Sequence, residues 1–558
     1  LVPLVAVGLE LGPVGLTGRV SVTSEQSITP DVLGDTLGRP HSHLACRFSP
    51  TASFWGFPFS FDIRLETMKS VLGKPFELLG LSVDPSLLPV KLPGLGWLAG
   101  SVKSFELGSC SPKWTPLTLS GAAIGGGAIE LNPGLLYVAA AVGQARRAVE
   151  GRDLTGPPDS QLRVSDSVTP TYQRMLYAGR LGFGNKQASH LHLTGMYVYD
   201  DPKSIRHTWY NGTTDGYEGN TPASAIARVE ARPAENFIGG TECNLSLLRG
   251  RVRLESELAG VVLTPDNRLP AVCSDSVSDV YEHVFRPNAS TLEPDYSFRV
   301  RPSVVLSGVN VYGIVERVGA RHFSLGAPSL RRGFFTYGGG FEAGLSKDRV
   351  TVSASYQHED DSPSDLNVER TTIHSGSAGL VLGFAGLPTF RLGYSPRLLR
   401  SASSNEDCHK AWLGTGYRFK VGSVSHSPGL STTWQRNSSA GSGSTGVDVT
   451  LSHGLKFSFP FSVAVSAGYG WQEGEGGVQP YVKAGVSPSF TAFRVWKNTV
   501  TYGLSTETGD AIHTVGLKTA FPLWKLANAN LSVKQKFFRG DSGSLHELQL
   551  GGGLSTSW

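Results

Sequence analysis

The amino-acid sequence predicts an all-β protein: a single large antiparallel up-and-down transmembrane β-barrel that takes in all of 1–558 as one domain. Three observations carry that prediction. Apolar and polar residues alternate with a period of two through the second half of the chain. The alternating runs outlast the usual globular strand of about 5 to 6 residues. The connections between them are of two alternating kinds. Because successive strand side chains point to opposite faces, each run has one greasy and one wet face. A soluble sandwich alternates too, but long runs match a tilted strand crossing a bilayer, which needs roughly 9 to 11 residues. Lipid offers no partner to an unpaired backbone group, so a sheet of such strands must close.

Taken from the N-terminus, "VAVGLELG" and "VGLTGRVSV" read as strands on either side of Pro13. The opening residues lack a basic leader before their apolar positions, so the expectation is that any export signal has already been removed. "ASFWGFPFSFDIRLET" reads as a hairpin turning at Phe57-Pro58. Segment 73–101 carries prolines at irregular spacing and is expected as a non-barrel insert, at the rim or in the lumen. "LTLSGAAIGGGAIELNPGLLYVAAAVGQARRAVEG" returns to a hairpin, with Asn132-Pro133-Gly134 as its turn.

The second half is more regular. In "GVDVTLSHGLKFSFPFSVAVSAGYGWQ" the odd positions from Val447 to Trp471 are nearly all apolar and the even positions polar or small. Proline cannot donate to a sheet ladder, so Pro460 marks a tight turn inside this run. Leu387-Pro388 and Phe521-Pro522 repeat the device. The other connections ("HEDDSPSDLNVER", "RSASSNEDCHK", "RNSSAGSGSTG", "QEGEGG", "TETGD", "RGDSGS") are polar and are expected as exposed loops. About 13 strands follow Gly333 on this template, and the whole chain extrapolates to about 26, within 22 to 28.

With each strand's phase fixed by its apolar set, Arg391, Arg418, Lys420, Lys456, Lys483, Lys518, Lys534 and Lys536 fall on the polar side, against the acidic Glu342, Asp448 and Glu547. Lysine or arginine on the lipid face costs about 2–4 kcal/mol near the midplane, which assigns the polar side to the lumen.

The last strand, "SLHELQLGGGLSTSW", alternates to a terminal Trp558, preceded at two-residue steps by Thr556 and Leu554. This resembles the C-terminal β-signal of bacterial outer-membrane β-barrel proteins, which their insertion machinery recognises. The resemblance covers the second half of the chain. It implies an outer-membrane location, lipid and the insertion machinery as partners, and assembly roles for Leu554, Thr556 and Trp558. The expected function is a pore or transport conduit, anion-preferring if its lumen is open. The alternative is a structural or assembly barrel with a filled lumen, bound to a protein partner in a secretion or surface complex.

Other chemistry is read and set aside. The net charge of +4 is small and dispersed, which argues against nucleic acid. The longest apolar stretch, "GLLYVAAAVGQARR", is too short for a transmembrane helix. "GDSG" in "RGDSGS" lies in a polar loop without a base or oxyanion hole, so no enzyme is expected. The acidic "HEDDSPSDLNVE" lacks the glycine of an EF-hand loop, and "GAAIGGGAIE" lacks the helix and lysine of a phosphate cradle; no cofactor site is read. His41 with His43 and His190 with His192 each project to one strand face, but no companion ligands are visible, so no metal site is assigned. The five cysteines leave a Cys243–Cys273 disulfide and free buried thiols equally open.

Overall fold

The structure, a computed structural model, describes residues 10–11, 14–28, 42–54, 57–66, 76–83, 101–151, 170–185, 189–206, 208–213, 226–270, 287–346, 349–361, 370–439, 442–474, 477–493, 495–507, 510–522, 527–540 and 543–557. One antiparallel sheet of 28 strand segments contains nearly all of them. Each strand pairs with the next in the chain, except that Trp209–Thr213 and Ile226–Glu230 form a separate hairpin while His190–Asp201 pairs with Glu235–Leu247. Glu10–Leu11 is a short hairpin arm on Val14–Ile28, and Phe419–Val421 continues the line of Asn405–Gly416 along Val424–Ser439. That leaves 26 strands among the described residues, 13 of them after Gly333, in agreement with the sequence. Val14–Ile28 also pairs with the final strand, Gly543–Ser557, from Arg19↔Ser557 to Ile28↔Leu548, which joins the two ends of the sheet. Backbone groups at what would be two edges are thereby paired, as a lipid environment requires.

Connections alternate between two ends. At one end they are short, apart from the link between Val83 and Val102. Ser307 and Gly308 join Asp295–Leu306 to Val309–Val318 with φ of 46° and 88°, and two consecutive positive-φ residues give the turn whose twist matches paired strands. Residues 457–460 join Ser442–Lys456 to Phe461–Gly474, as Pro460 predicts. Connections at the other end are long in the first half of the chain. In the second half the described strands run further than expected: within "RNSSAGSGSTG", "QEGEGG", "TETGD" and "RGDSGS" all but two residues of each belong to strands. Serine, threonine and glycine do not interrupt a ladder when the partner strand continues, so the hairpins extend beyond the apolar band.

Segment 73–101 differs too. Phe76–Val83 is a barrel strand, paired with Phe57–Glu66 and Val102–Cys110. Its eight residues lie between Pro75 and Pro85, so the prolines bound the strand rather than abolish it; residues 84–100 lie outside the described residues.

The outer face is apolar and carries two aromatic belts. Leu181, Leu193, Leu258, Leu392, Leu451, Val465 and Leu531 are all exposed on it. Near the tight turns lie Phe457, Phe459 and Phe461, with ring centroids 5.3–5.8 Å apart, and Phe493, Trp496 and Phe521. Toward the other end Tyr394 bonds His409 at 2.8 Å, Tyr356 bonds His374 at 2.8 Å and Tyr502 bonds His513 at 3.0 Å. Phe461 and Tyr469 on one strand are separated by about 26 Å at ~3.3 Å per residue, or roughly 20 Å after a 40° tilt, close to the apolar band of a membrane barrel. The closed antiparallel ring, apolar exterior and paired belts are those of a transmembrane β-barrel.

Candidate functional site

The inner face is built differently on its two sides. Between Val102–Cys110 and Ile124–Leu131, residues 111–123 fold inward instead of extending the hairpin; between Val309–Val318 and Phe334–Leu345, residues 319–333 do the same. Leu117 and Leu119 are completely buried, with Trp114 nearly so, against Leu176, Met196, Ile238 and Ala259 on the inner faces of four strands. Burying side chains of this size contributes roughly 1.5–3 kcal/mol each. The strand expected from Leu117 onward therefore begins only at Ile124.

The two infolded segments hold each other. The Ser324 hydroxyl donates to the Thr118 carbonyl at 2.7 Å, the Ser120 amide to the Gly326 carbonyl at 3.0 Å, and His322 Nε2 to the Leu117 carbonyl at 3.0 Å. Asn236 on the wall clamps the second segment, donating to the Phe323 carbonyl and accepting from the Leu325 amide. Gly326 is required by this approach: a Cβ there would stand 2.4 Å from Met196 Sδ and 3.2 Å from Leu119 Cδ1.

Beneath them runs a charged row in direct cross-strand register: His192, Glu242, Glu257, Arg299, Glu316 and Thr336. Two glutamates directly opposite each other repel. Here the Leu117 amide donates to Glu257 Oε1 at 2.9 Å, Arg180 pairs with Glu242, and Arg299 pairs with Glu316. The infolded segment thus docks partly by completing a carboxylate's hydrogen bonds.

After Gly333 the basic residues expected in the lumen fall in register as follows. Lys456 lies opposite Ser425 and Ser462, Lys518 opposite Thr499 and Ser532, and Lys534 opposite Gly516 and Gln549. Arg391 is on the face away from exposed Phe390 and Leu392, and Lys420 lies opposite Ser425. Arg418 falls in the two-residue break between Gly416 and Phe419, across which the register to the neighbouring strand is unbroken (Gly416↔Gly429, Phe419↔His426), two residues before Lys420 on the same line. Acidic partners offset two others. Lys536 is in register with Glu547, and Lys483 Nζ is 3.8 Å from Asp448. That aspartate also accepts from Tyr481 at 3.0 Å and Thr450 at 3.1 Å. Tyr481 reaches it by lying over Gly470, where a Cβ would be 2.4 Å from its ring. Asp448, Tyr481 and Lys483, with Thr433, Gln435, Asn437, Ser444 and Gln472, line a polar concavity of about 350 Å³.

Of the assembly positions, Leu554 pairs with Val22 and Ala529, and Thr556 with Val20 and Ala527; Trp558 lies outside the described residues. Cys110, Cys243 and Cys408 are free thiols, so Cys243 is not in the disulfide the sequence left open; Cys273 lies outside the described residues, as do His41 and the Gly-Asp-Ser-Gly Asp541 and Ser542. His190 and His192 do acquire a companion, Glu242, which sequence spacing alone does not disclose because strand register supplies it.

No protein-family model matches the chain, and no curated protein matches it in sequence. Solved structures do. Pseudomonas aeruginosa OccK1 (OpdK) is 11% identical over 60% of this chain and 94% of its own, with a TM-score of 0.31. The P pilus usher (PapC) translocation pore is 9% identical over 97% of this chain and 99% of its own, with a TM-score of 0.32. A chain of the E. coli PapC-PapD-PapK-PapG tip assembly intermediate is 11% identical over 96% of this chain and 60% of its own, with a TM-score of 0.41.

Proposed function

We propose that the barrel is an outer-membrane conduit for polar solutes, with passage along the half of the lumen that follows Gly333 and with anions favoured there. The supporting observation is the unequal filling of the inner face. Residues 111–123 and 319–333 pack on the inner face of strands that lie between Ile124 and Val318, while Lys456, Lys483, Lys518 and Lys534 stand exposed on the inner face of the later strands. Cationic groups in a confined aqueous passage raise the local anion concentration. The role requires no catalytic step.

A structural or assembly barrel is the second reading, favoured by the packed core that the infolded segments make with the wall. Conductance decides between the two. Purified barrel in a planar bilayer should show steady single-channel steps; absence of conductance, together with a stoichiometric partner in native purification, would establish the assembly role instead.

A further inference from the structure

We propose that His190, His192 and Glu242 form a binding site for a first-row divalent transition ion of the zinc class. His190 and His192 are two apart on one strand and so share its inner face, and Glu242 stands directly opposite His192 on the neighbouring strand. Their ligand atoms all lie within 4.8 Å of one another. His190 Nε2 is 3.6 Å and His192 Nδ1 3.9 Å from the same Glu242 oxygen. Tetrahedral zinc with bonds of about 2.0–2.1 Å separates its donors by about 3.3 Å, so both nitrogens already stand close to ligand spacing from the Glu242 oxygen.

The surroundings suit such an ion in two further respects. His190 Nδ1 is 3.2 Å from the Asn185 carbonyl. A carbonyl only accepts, so this contact makes Nδ1 the protonated nitrogen and leaves the Nε2 lone pair toward Glu242. A ligand's second nitrogen is commonly held in this way. The local charge is also acidic: Glu130, Glu242 and Glu257 all act on or pair with the one buried Arg180. A divalent cation opposes that excess.

Two features of the packing set the terms of binding. The imidazoles are stacked, 4.3 Å apart at 16°, with Tyr137 stacked on the other side of His192. Ligation therefore requires the rings to turn about Cβ–Cγ until their lone pairs converge, and this torsion is broad and soft. Arg180 shares Glu242 with the ion, which makes its guanidinium an internal competitor.

The test uses the full-length barrel purified in detergent and stripped by a chelator. Titrated with Zn²⁺ against a chromophoric chelator, it should bind one tight equivalent, weakened at least ~100-fold in H190Q/H192Q and tightened several-fold in R180Q. A control variant, H358Q/H374Q, removes a different histidine pair, 3.3 Å apart between neighbouring strands, and should leave that equivalent in place. Binding that is the same in wild type and H190Q/H192Q, or lost with H358Q/H374Q, overturns the site; so does R180Q binding no more tightly than wild type. Because the histidine variant also disturbs packing, Cu²⁺ loaded into wild type gives a variant-free check. Its electron paramagnetic resonance should show two coupled nitrogens, and a spectrum without nitrogen coupling overturns the assignment.

Discussion

The Ser324 hydroxyl donates a 2.7 Å hydrogen bond to the Thr118 carbonyl, joining segments 206 residues apart inside the barrel. The bond is buried, so removing the hydroxyl leaves the carbonyl without this donor, at a cost of about 1–3 kcal/mol. Ser324→Ala should loosen the contact between residues 111–123 and 319–333. Leu119→Asp, which puts a carboxylate where Leu119 is fully buried, should expel the first segment altogether. The expected readout is added current noise for the first variant and a larger unitary conductance for the second. Identical traces for wild type and Leu119→Asp would show that the segment does not obstruct the passage.

Acid should weaken the same contact through His322. Burial pushes its pKa below the ordinary histidine value; the Leu117 carbonyl and Asp295 act upward, Arg317 and Arg332 downward, and burial outweighs them. The free segment therefore takes up a proton at a higher pH than the docked one. Docking is at full strength above the ordinary histidine pKa of about 6.5 and weakens as pH falls through that value toward the lowered one. Channel noise should rise over that window. His322→Gln, which keeps a donor for the Leu117 carbonyl but does not titrate, should remove the dependence; a variant as pH-sensitive as wild type would place the sensing group elsewhere.

How far the sequence was legible depends on what each face touches. Where one face meets lipid and the other a polar lumen, as from Val447 to Tyr469, the period of two is plain, and strand number and phase follow from it. In Gln173–Gly184 it fades: Leu176 and Ala178 are buried beneath the infolded segments while Tyr177 and Leu181 face outward, so both faces are apolar. Leu117 and Leu119 read as strand for the same reason, although with Trp114 they fill the lumen. Glu242 was hidden differently. It lies 50 residues beyond His192 in the chain, and only the register beside His192 identifies it as a third ligand.

Closure of the ring gives the C-terminal residues a specific task. Gly543–Ser557 is the last strand and pairs on both sides, with Ala527–Gly540 and with Val14–Ile28. Deleting Trp558, or replacing it with a charged residue, should reduce assembly, read as loss of the heat-modifiable folded band in outer-membrane fractions. Wild-type levels of inserted barrel in the mutant would remove the assembly role from this residue.

Charge selectivity should depend on the lysines whose register neighbours are neutral. Lys456, Lys518 and Lys534 face serine, threonine, glycine or glutamine on both sides, whereas Asp448 already offsets Lys483. Their fields extend about 8–10 Å at physiological salt and shrink as salt rises. In a salt gradient the wild-type zero-current potential should report anion preference, stronger at low salt. The triple variant K456E/K518E/K534E should move it toward cation preference, while Lys483→Gln, which frees Asp448, should move it less and in the same direction. Leu531→Ala alters the exposed outer face and should leave it unchanged. A wild-type channel that selects cations would mean that Glu242, Glu257 and Glu316 on the opposite wall dominate the passage, and the path would then run beside the infolded segments and not along the later strands.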